Sequence, residues 1–299
     1  MWSMVLLMRL FPRVVSVAVA IIGLLGAALL SACSAPTLVY NNAPELVHWW
    51  LDGYVDLDTP QSVLVRNELA DIQQWHRQTE LPRLATLFRN TAQRLSEPLT
   101  PEAVCSVYKE VVASGERLSV KAESAVVTLA ASLTPEQVLA MERKYAKSNA
   151  DYRSKWLGGS AAEAQARRTT QLLERAESIY GRLTPAQRDL LRQQVANATF
   201  DAQTTYATRL RHQQDAVLVL RQIAHDKPDL ATVRDSMRAL LARRLRSPDV
   251  QHRRYADALV QEGCAGLAAL HNSTTPAQRA QAARKLNGYA DDAMALARR

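Results

Sequence analysis

Four short stretches of the same design mark where helices begin in this chain. They are LTPEAV (99–104), LTPEQV (133–138), LTPAQR (183–188) and TTPAQR (274–279). Threonine suits the N-cap, and proline suits the first helical position because its missing N–H costs nothing there. Glutamate or glutamine then lies in the first turn. Looser versions occur at DTPQS (58–62), KPD (227–229) and SPD (247–249). The unequal spacing of these starts excludes a fixed repeat period.

The residues between these starts follow the helical period. One stripe runs from Val65 to Thr79, a second follows Pro82, and a third runs from Val138 to Trp156 and ends at Gly158. No stretch shows the alternation expected of a strand. We therefore predict an all-α fold, an elongated multi-helix bundle of about eight or nine helices. A candidate subdomain seam lies near 158–160.

The first 33 residues have the layout of a bacterial lipoprotein signal. An uncharged apolar run from Val14 to Leu30 follows a basic start, and Ser31 and Ala32 precede Cys33 as in a lipobox. We predict a signal peptide over 1–32, cleavage between Ala32 and Cys33, and acylation of Cys33. Two or more acyl chains give stable anchoring. The alternative is a marginal transmembrane anchor.

This N-terminus predicts where the rest of the chain lies. Residues 33–43 then form a lipidated tether, and 44–299 form a helical domain facing the periplasm. Ser34, rather than aspartate, follows the cysteine. That choice is typical of lipoproteins that are sorted onward to the outer membrane.

Two further cysteines, Cys105 and Cys264, form an even pair. In an oxidising compartment such a pair favours a disulfide. Two buried free thiols are the alternative.

The densest set of chemically useful side chains lies in PELVHWWLDGYVDLDTPQ (44–61), followed by QQWHRQTELPRL (73–84). The candidate contact cluster comprises His48, Trp49, Trp50, Asp52, Tyr54, Asp56, Trp75 and His76. A calcium loop is excluded because Pro60 and Gln61 replace its required ligand and glycine.

Three interpretations of this cluster stay open. A metal site would pair His48 with Asp52 and His76 with Glu80 at i,i+4 spacing. A glycan-cleaving carboxylate pair would come from the aspartates at 52, 56 and 58, with the tryptophans stacking on sugar. The favoured interpretation is structural, since large aromatic residues at helical spacing bury the first helix against the second while the aspartates cap a turn.

The sequence contains no GxSxG, SxxK, P-loop or Rossmann fingerprint, and His212, His225, His252 and His271 are scattered. We therefore predict no enzymatic activity, no catalytic or metal-ligating residues and no cofactor.

The formal net charge is +8, and a basic stretch over 233–259 contributes to it. The candidate anionic-contact residues are Arg238, Arg243, Arg244, Arg246, Arg253 and Arg254. A solvated helix face is the alternative interpretation. Outside the cytoplasm the expected target is a phospholipid headgroup, lipopolysaccharide phosphate or an acidic protein, and no nucleic acid.

Two resemblances add to these patterns. The lipobox at Cys33, Tyr40-Asn41-Asn42, WWLDGYVDLD and WHRQTELPRL together resemble a proteobacterial envelope lipoprotein family of unknown function. This resemblance implies an envelope location without an assigned activity. The LTxxQ motifs at 133–137 and 183–187, with a degenerate copy at 274–278, resemble those of the Spy-type periplasmic chaperones, which are helical and basic.

We therefore expect an outer-membrane-anchored, periplasm-facing lipoprotein. It acts without catalysis, through contacts with an envelope protein or an anionic envelope component. The first alternative is a holding chaperone for unfolded clients, and the second is an enzyme acting on envelope glycan.

Overall fold

The computed structural model describes residues 35–298, which are helical apart from turns and short connections and contain no β-strand. The predicted all-α class is confirmed. The chain divides into two units, Met1–Ala43 and Pro44–Arg299. In the first unit, part of the predicted tether forms a helix, α1 (Ala35–Asn41). The predicted signal peptide, its cleavage site and Cys33 lie outside the described residues.

The rest of the described chain forms eleven further α-helices. They are α2 (Ala43–Val55), α3 (Thr59–Trp75), α4 (Leu81–Arg94), α5 (Pro101–Ser132), α6 (Pro135–Tyr152), α7 (Ala161–Tyr180), α8 (Pro185–Ala196), α9 (Ala202–Asp226), α10 (Leu230–Leu245), α11 (Val250–Asn272) and α12 (Pro276–Ala297). The predicted count of eight or nine was too low. Asp229 and Asp249, from two of the looser starts, each N-cap a helix, and so does Asp201, which lies in none of the predicted starts. Within residues 35–298, no helix combines the length and apolar character needed to cross a bilayer.

Two π-helical turns extend these helices. His76–Glu80 joins α3 to α4, and Arg153–Leu157 prolongs α6 up to Gly158. At the first, the Leu81 N–H donates to the carbonyl of His76, five residues back, just before Pro82. After this widened turn, α4 begins with Pro82 in its first turn. Such widened turns are frequent at functional sites.

The threonine helix starts form the predicted caps. The hydroxyl of Thr100 accepts a hydrogen bond from the Ala103 N–H, and Thr134, Thr184 and Thr275 cap the third residue of their helices in the same way. In the last three, the glutamine at that third position accepts from the N-cap N–H and completes a capping box. Asp58 and Gln61 make a further box at the start of α3.

The capping glutamines also join helix starts in pairs. Gln61 and Gln137 are buried and each donates from Nε2 to the other's Oε1, at 3.1 and 2.6 Å. Gln187 and Gln278 do the same at 2.8 and 2.9 Å. Each Nε2 also donates to a backbone carbonyl just before the partner helix. Two pairs of helix N-termini are thereby held face to face.

The pairs lie beside two separate apolar cores. The first core joins the end of α2 to α5, α6, α9 and α10, and includes Val127, Val138, Ile223 and Val233. The second joins α7, α8, α11, α12 and the residue after α4, and includes Tyr180, Leu191 and Ala282. Helix α5 extends from the second core to the first. Its first turns carry Cys105, beside the second core, and its last turns carry Val127, in the first core.

A disulfide joins Cys105 of α5 to Cys264 of α11, with a Cα–Cα distance of 5.4 Å and a sequence separation of 159. The preference for a bridge over two free thiols is confirmed. The bond ties an early helix to a late one, next to the second core.

Candidate functional site

Helix α2 contains most of the predicted contact cluster, and it has apolar residues on two sides. Its inner side carries Val55 and His48, which are 6% and 7% exposed. The His48 ring nitrogen Nε2 lies 2.6 Å from the hydroxyl of Ser62 on α3. The inner side is therefore a packed face with its polar group satisfied.

The other side of α2, which we name the α2 outer face, carries Leu46, Val47, Trp49 and Trp50. Trp49 is 74% exposed and Trp50 is 53% exposed. The four positions fall within about half of the helix circumference. The expectation that both tryptophans bury the first helix against the second was wrong, because His48 and Val55 already occupy the packed side.

Tyr54 connects the α2 outer face to helix α6. Its ring lies 4.7 Å from that of Trp50 and 5.6 Å from that of Tyr145, between centroids. The ammonium of Lys144 lies 5.6 Å from the centroid of the same Tyr54 ring. Burial raises the pKa of Tyr145, so this phenol stays neutral. The outer face thus ends beside an exposed cation.

The aspartates of the cluster form the turn between α2 and α3. The Asp52 carboxylate accepts from the Leu57 N–H at 3.0 Å, and Asp58 caps α3. Asp56 has a φ of 53° and its backbone carbonyl accepts from Gln137. Asp52 and Asp58 are therefore engaged with the backbone, as the structural interpretation of this segment predicted.

The residues proposed for a metal site are engaged elsewhere. His48 contacts Ser62, and the Glu80 carboxylate contacts Ser114 and Arg117. Over residues 35–298, no group of three or more histidine, cysteine, aspartate or glutamate side chains is placed to hold a metal ion.

Trp75 and His76 lie apart from the rest of the cluster. They come at the end of α3, about 25 Å along that helix from its start beside α2. Both are half-buried, and their ring centroids are 6.4 Å apart. Burial lowers the pKa of His76, an effect that the Glu80 charge opposes. The structure therefore separates Trp75 and His76 from the cluster residues on α2 and in the turn that follows it.

Beside His76 lies a buried ion pair that the sequence patterns did not predict. Glu80 is fully buried in the π-helical turn, and both its oxygens accept from the Arg117 guanidinium at 2.8 Å. Ser114 donates to the same carboxylate at 2.7 Å. The hydrogen bond from Arg117, more than the opposing burial, lowers the pKa of Glu80 to about 2. The four-residue spacing of His76 and Glu80 drew attention to this turn, but nothing in the sequence named the partner on α5.

The predicted anionic-contact arginines separate into two groups. Arg238 pairs with Glu123 and Arg243 with Asp215, each through two hydrogen bonds, while Arg253 donates to the carbonyls of Ser247 and Pro248. Arg244, Arg246 and Arg254 are exposed and form no ion pair with any described residue. The contact surface stays a prediction, and these last three arginines are its available charges.

The fold and these sites define an all-α protein with an exposed aromatic helix face and a disulfide-tied helical body. The chain belongs to a family of unknown function, DUF6279, which matches residues 53–254. No curated protein and no solved structure shows significant similarity to it.

Proposed function

We propose that this protein is an outer-membrane-anchored, periplasm-facing lipoprotein that acts without catalysis. We further propose that the α2 outer face contacts the bilayer in which the lipid is anchored. The lipobox at Cys33 supports the anchor. The Cys105–Cys264 disulfide supports an oxidising compartment such as the periplasm.

The observation that carries the proposal is the exposed apolar outer face of α2, which lies opposite the packed side of the helix. A helix normally buries its apolar stripe against the core. Here Trp49 and Trp50 face outward, and tryptophan is enriched where a membrane meets water. A contact with the headgroup region covers these rings while leaving the indole N–H groups able to reach polar partners.

The position of α2 in the chain fits this contact. Trp49 follows Cys33 by 16 residues. Even fully extended, the nine residues 34–42 span at most about 30 Å. A lipid on Cys33 therefore keeps α2 close to the bilayer surface. Lys144, beside Tyr54, places a cation where anionic headgroups attract it.

Fluorescence quenching in vesicles tests this contact. The full lipidated protein, with Trp75→Phe and Trp156→Phe, leaves Trp49 and Trp50 as the reporters of the mature chain. Reconstituted into phosphatidylethanolamine–phosphatidylglycerol vesicles, it is expected to be quenched by brominated acyl chains and shielded from aqueous acrylamide. Leu218→Trp, at an exposed position on α9, is the matched control in a chain without the α2 tryptophans. Equal quenching of the α2 and α9 reporters would contradict the proposal.

A holding chaperone is the second candidate function. The observation that favours it is a row of exposed apolar side chains along α5, namely Tyr108, Val111, Val112, Val120 and Val126. The LTxxQ glutamines give no such support, because Gln137 is buried against Gln61 and Gln187 against Gln278.

In-situ photo-cross-linking separates the candidates. A photoreactive residue replaces Trp49 in one variant and Val120 in another. The proposed membrane contact predicts lipid adducts at 49, whereas one or two stoichiometric protein partners there would indicate a scaffold. A broad spread of unfolded envelope proteins at 120 would favour the chaperone. The glycan-enzyme alternative predicts loss of an activity in Asp52→Asn with the fold retained.

A further inference from the structure

A large apolar cavity lies beside the disulfide, away from α2. Its volume is about 710 Å³, within the range of small-molecule binding sites. Its walls come from α4, α5, α7, α11 and α12 and the segment between α4 and α5. Apolar side chains dominate the lining, among them Leu95, Val104, Val107, Leu172, Ile179 and Leu267.

The charged groups in the lining share one sign. They are Arg94 at the end of α4 and Arg175 on α7, both exposed. Neither guanidinium forms an ion pair with any residue in the described part of the chain. An apolar cavity with two unpaired cations at its edge is complementary to an apolar body with an anionic head.

The lining contains few other polar side chains. The buried one, Tyr180, already has a hydrogen-bond partner. The Tyr180 hydroxyl lies 3.1 Å from Nδ1 of His271. His271 Nε2 lies 3.0 Å from the Glu97 carbonyl and donates to it. Nδ1 therefore accepts the hydrogen bond that the Tyr180 hydroxyl donates. Burial raises the pKa of Tyr180 to about 12 and lowers that of His271. The cavity interior thus offers almost no free hydrogen-bonding groups.

We propose that this cavity binds a single-chain amphiphile with an anionic head, its acyl chain lying among the apolar side chains and its carboxylate or phosphate against Arg94 and Arg175. An unfolded peptide fits less well, because its backbone N–H and C=O groups would lose water without finding partners. An acyl chain carries no such groups. A two-chain phospholipid needs considerably more volume than one chain.

The disulfide holds two walls of this cavity together. Cys264 lines the cavity, and its partner Cys105 adjoins Val104, which also lines it. The bridge thereby keeps α5 and α11 at the separation that the ligand requires. This site is independent of the membrane contact proposed for α2.

Gly263 permits a specific test. It lines the cavity, and a Cβ added there meets no atom within 4 Å. A side chain at 263 therefore starts in open space, and the ring of Gly263→Phe is expected to occupy part of the cavity. Gly288, on α12 and outside the lining, has equally open surroundings, so Gly288→Phe is the matched control.

The probe is a diazirine-bearing long-chain fatty acid, added to the full lipidated protein in vesicles and photolysed before peptide mapping. We expect labelling of peptides around 99–108 and 259–267 in the native chain and in Gly288→Phe. Gly263→Phe is expected to lose most of it. Because Gly263→Phe adds bulk, Arg94→Glu with Arg175→Glu provides a surface variant that leaves the interior intact. It is expected to lower labelling by at least about tenfold, because one charge-assisted contact contributes about a factor of ten and this variant removes both.

Competition identifies the head group. Unlabelled palmitate and lysophosphatidylglycerol are both expected to displace the probe, and the stronger competitor distinguishes a carboxylate from a phosphate source. Hexadecanol, which lacks the charge, is expected to compete poorly. Equal labelling in Gly263→Phe and Gly288→Phe would overturn the proposal, as would equal competition by hexadecanol. Labelling restricted to 43–55 would likewise reject the cavity while supporting the α2 contact.

Discussion

Gln187 and Gln278 hydrogen-bond to each other in both directions, at 2.8 and 2.9 Å, although 91 residues separate them. Each glutamine also completes the N-terminal cap of its own helix, so one side chain both caps a helix and links it to another helix. Gln61 and Gln137 repeat this arrangement at the first core. The local helix-start motif therefore also forms a long-range contact between two helices.

Gln278→Ala is expected to destabilise the protein by about 1–3 kcal/mol, because it leaves buried groups of Gln187 unsatisfied. Urea unfolding followed by circular dichroism measures this. The double variant with Gln187→Ala is expected to cost less than the sum of the single changes, since both remove one shared interaction. Gln165→Ala, at an exposed position on α7, is the control. Strictly additive losses of stability would contradict a shared interaction between the two glutamines.

The Glu80–Arg117 pair predicts a dependence of stability on acid. The pKa of Glu80 falls from 4.5 to about 2 on folding. A lowered pKa stabilises the folded state above the unfolded value, and this stabilisation declines as the pH falls from about 4.5 toward 2. The full contribution of this pKa shift to the free energy of unfolding is about 3 kcal/mol.

Glu80→Gln tests this dependence directly. It is expected to be less stable than the native protein at pH 7, and urea titrations at each pH should show this difference shrinking as the pH falls from about 4.5 toward 2. Glu174→Gln, an exposed carboxylate on α7, is the control. If the difference in stability between the native protein and Glu80→Gln did not change across this pH range, the lowered pKa of Glu80 would be refuted.

Replacing both bridged cysteines with alanine is expected to cost about 2–5 kcal/mol, since the bridge constrains a loop of 159 residues. Thermal unfolding with and without reductant measures the cost. Intact mass of native envelope material is expected to be lower than that of reduced protein by two hydrogens. Alkylation of both thiols without reductant would show that the bridge is absent in the cell.

The proposed anchor predicts that Cys33→Ser leaves an uncleaved or soluble precursor. Membrane fractionation and the mass of the mature N-terminus report this. Ser34→Ala, beside the modification site, is the control. Unchanged fractionation of Cys33→Ser would argue against lipid anchoring.

The unpaired arginines predict a salt-dependent contact. Glutamine at positions 244, 246 and 254 is expected to weaken binding to phosphatidylglycerol vesicles without lowering stability, because these guanidiniums make no ion pair with described residues. Arg243→Gln, which breaks the pair with Asp215, is expected to lower stability instead. Sedimentation with vesicles over a salt series measures the first effect. Identical vesicle binding by the triple variant would remove these arginines from the contact surface.

The sequence by itself determined where helices start, because an N-cap depends on a threonine or aspartate and the three residues after it. It therefore predicted Thr134 and Thr184 correctly, together with the all-α class. The disulfide could also be predicted, since an even pair of cysteines after a predicted signal peptide favours a bridge.

Tertiary structure alone decided what each helix faces. A helical period shows that a stripe is apolar, but it does not say whether a partner covers it. For that reason Trp49 and Trp50, expected in a packed interface, lie outside it. The partners of Glu80 and Gln278 lie 37 and 91 residues away in sequence, and only the packing of the helices brings them within hydrogen-bonding distance.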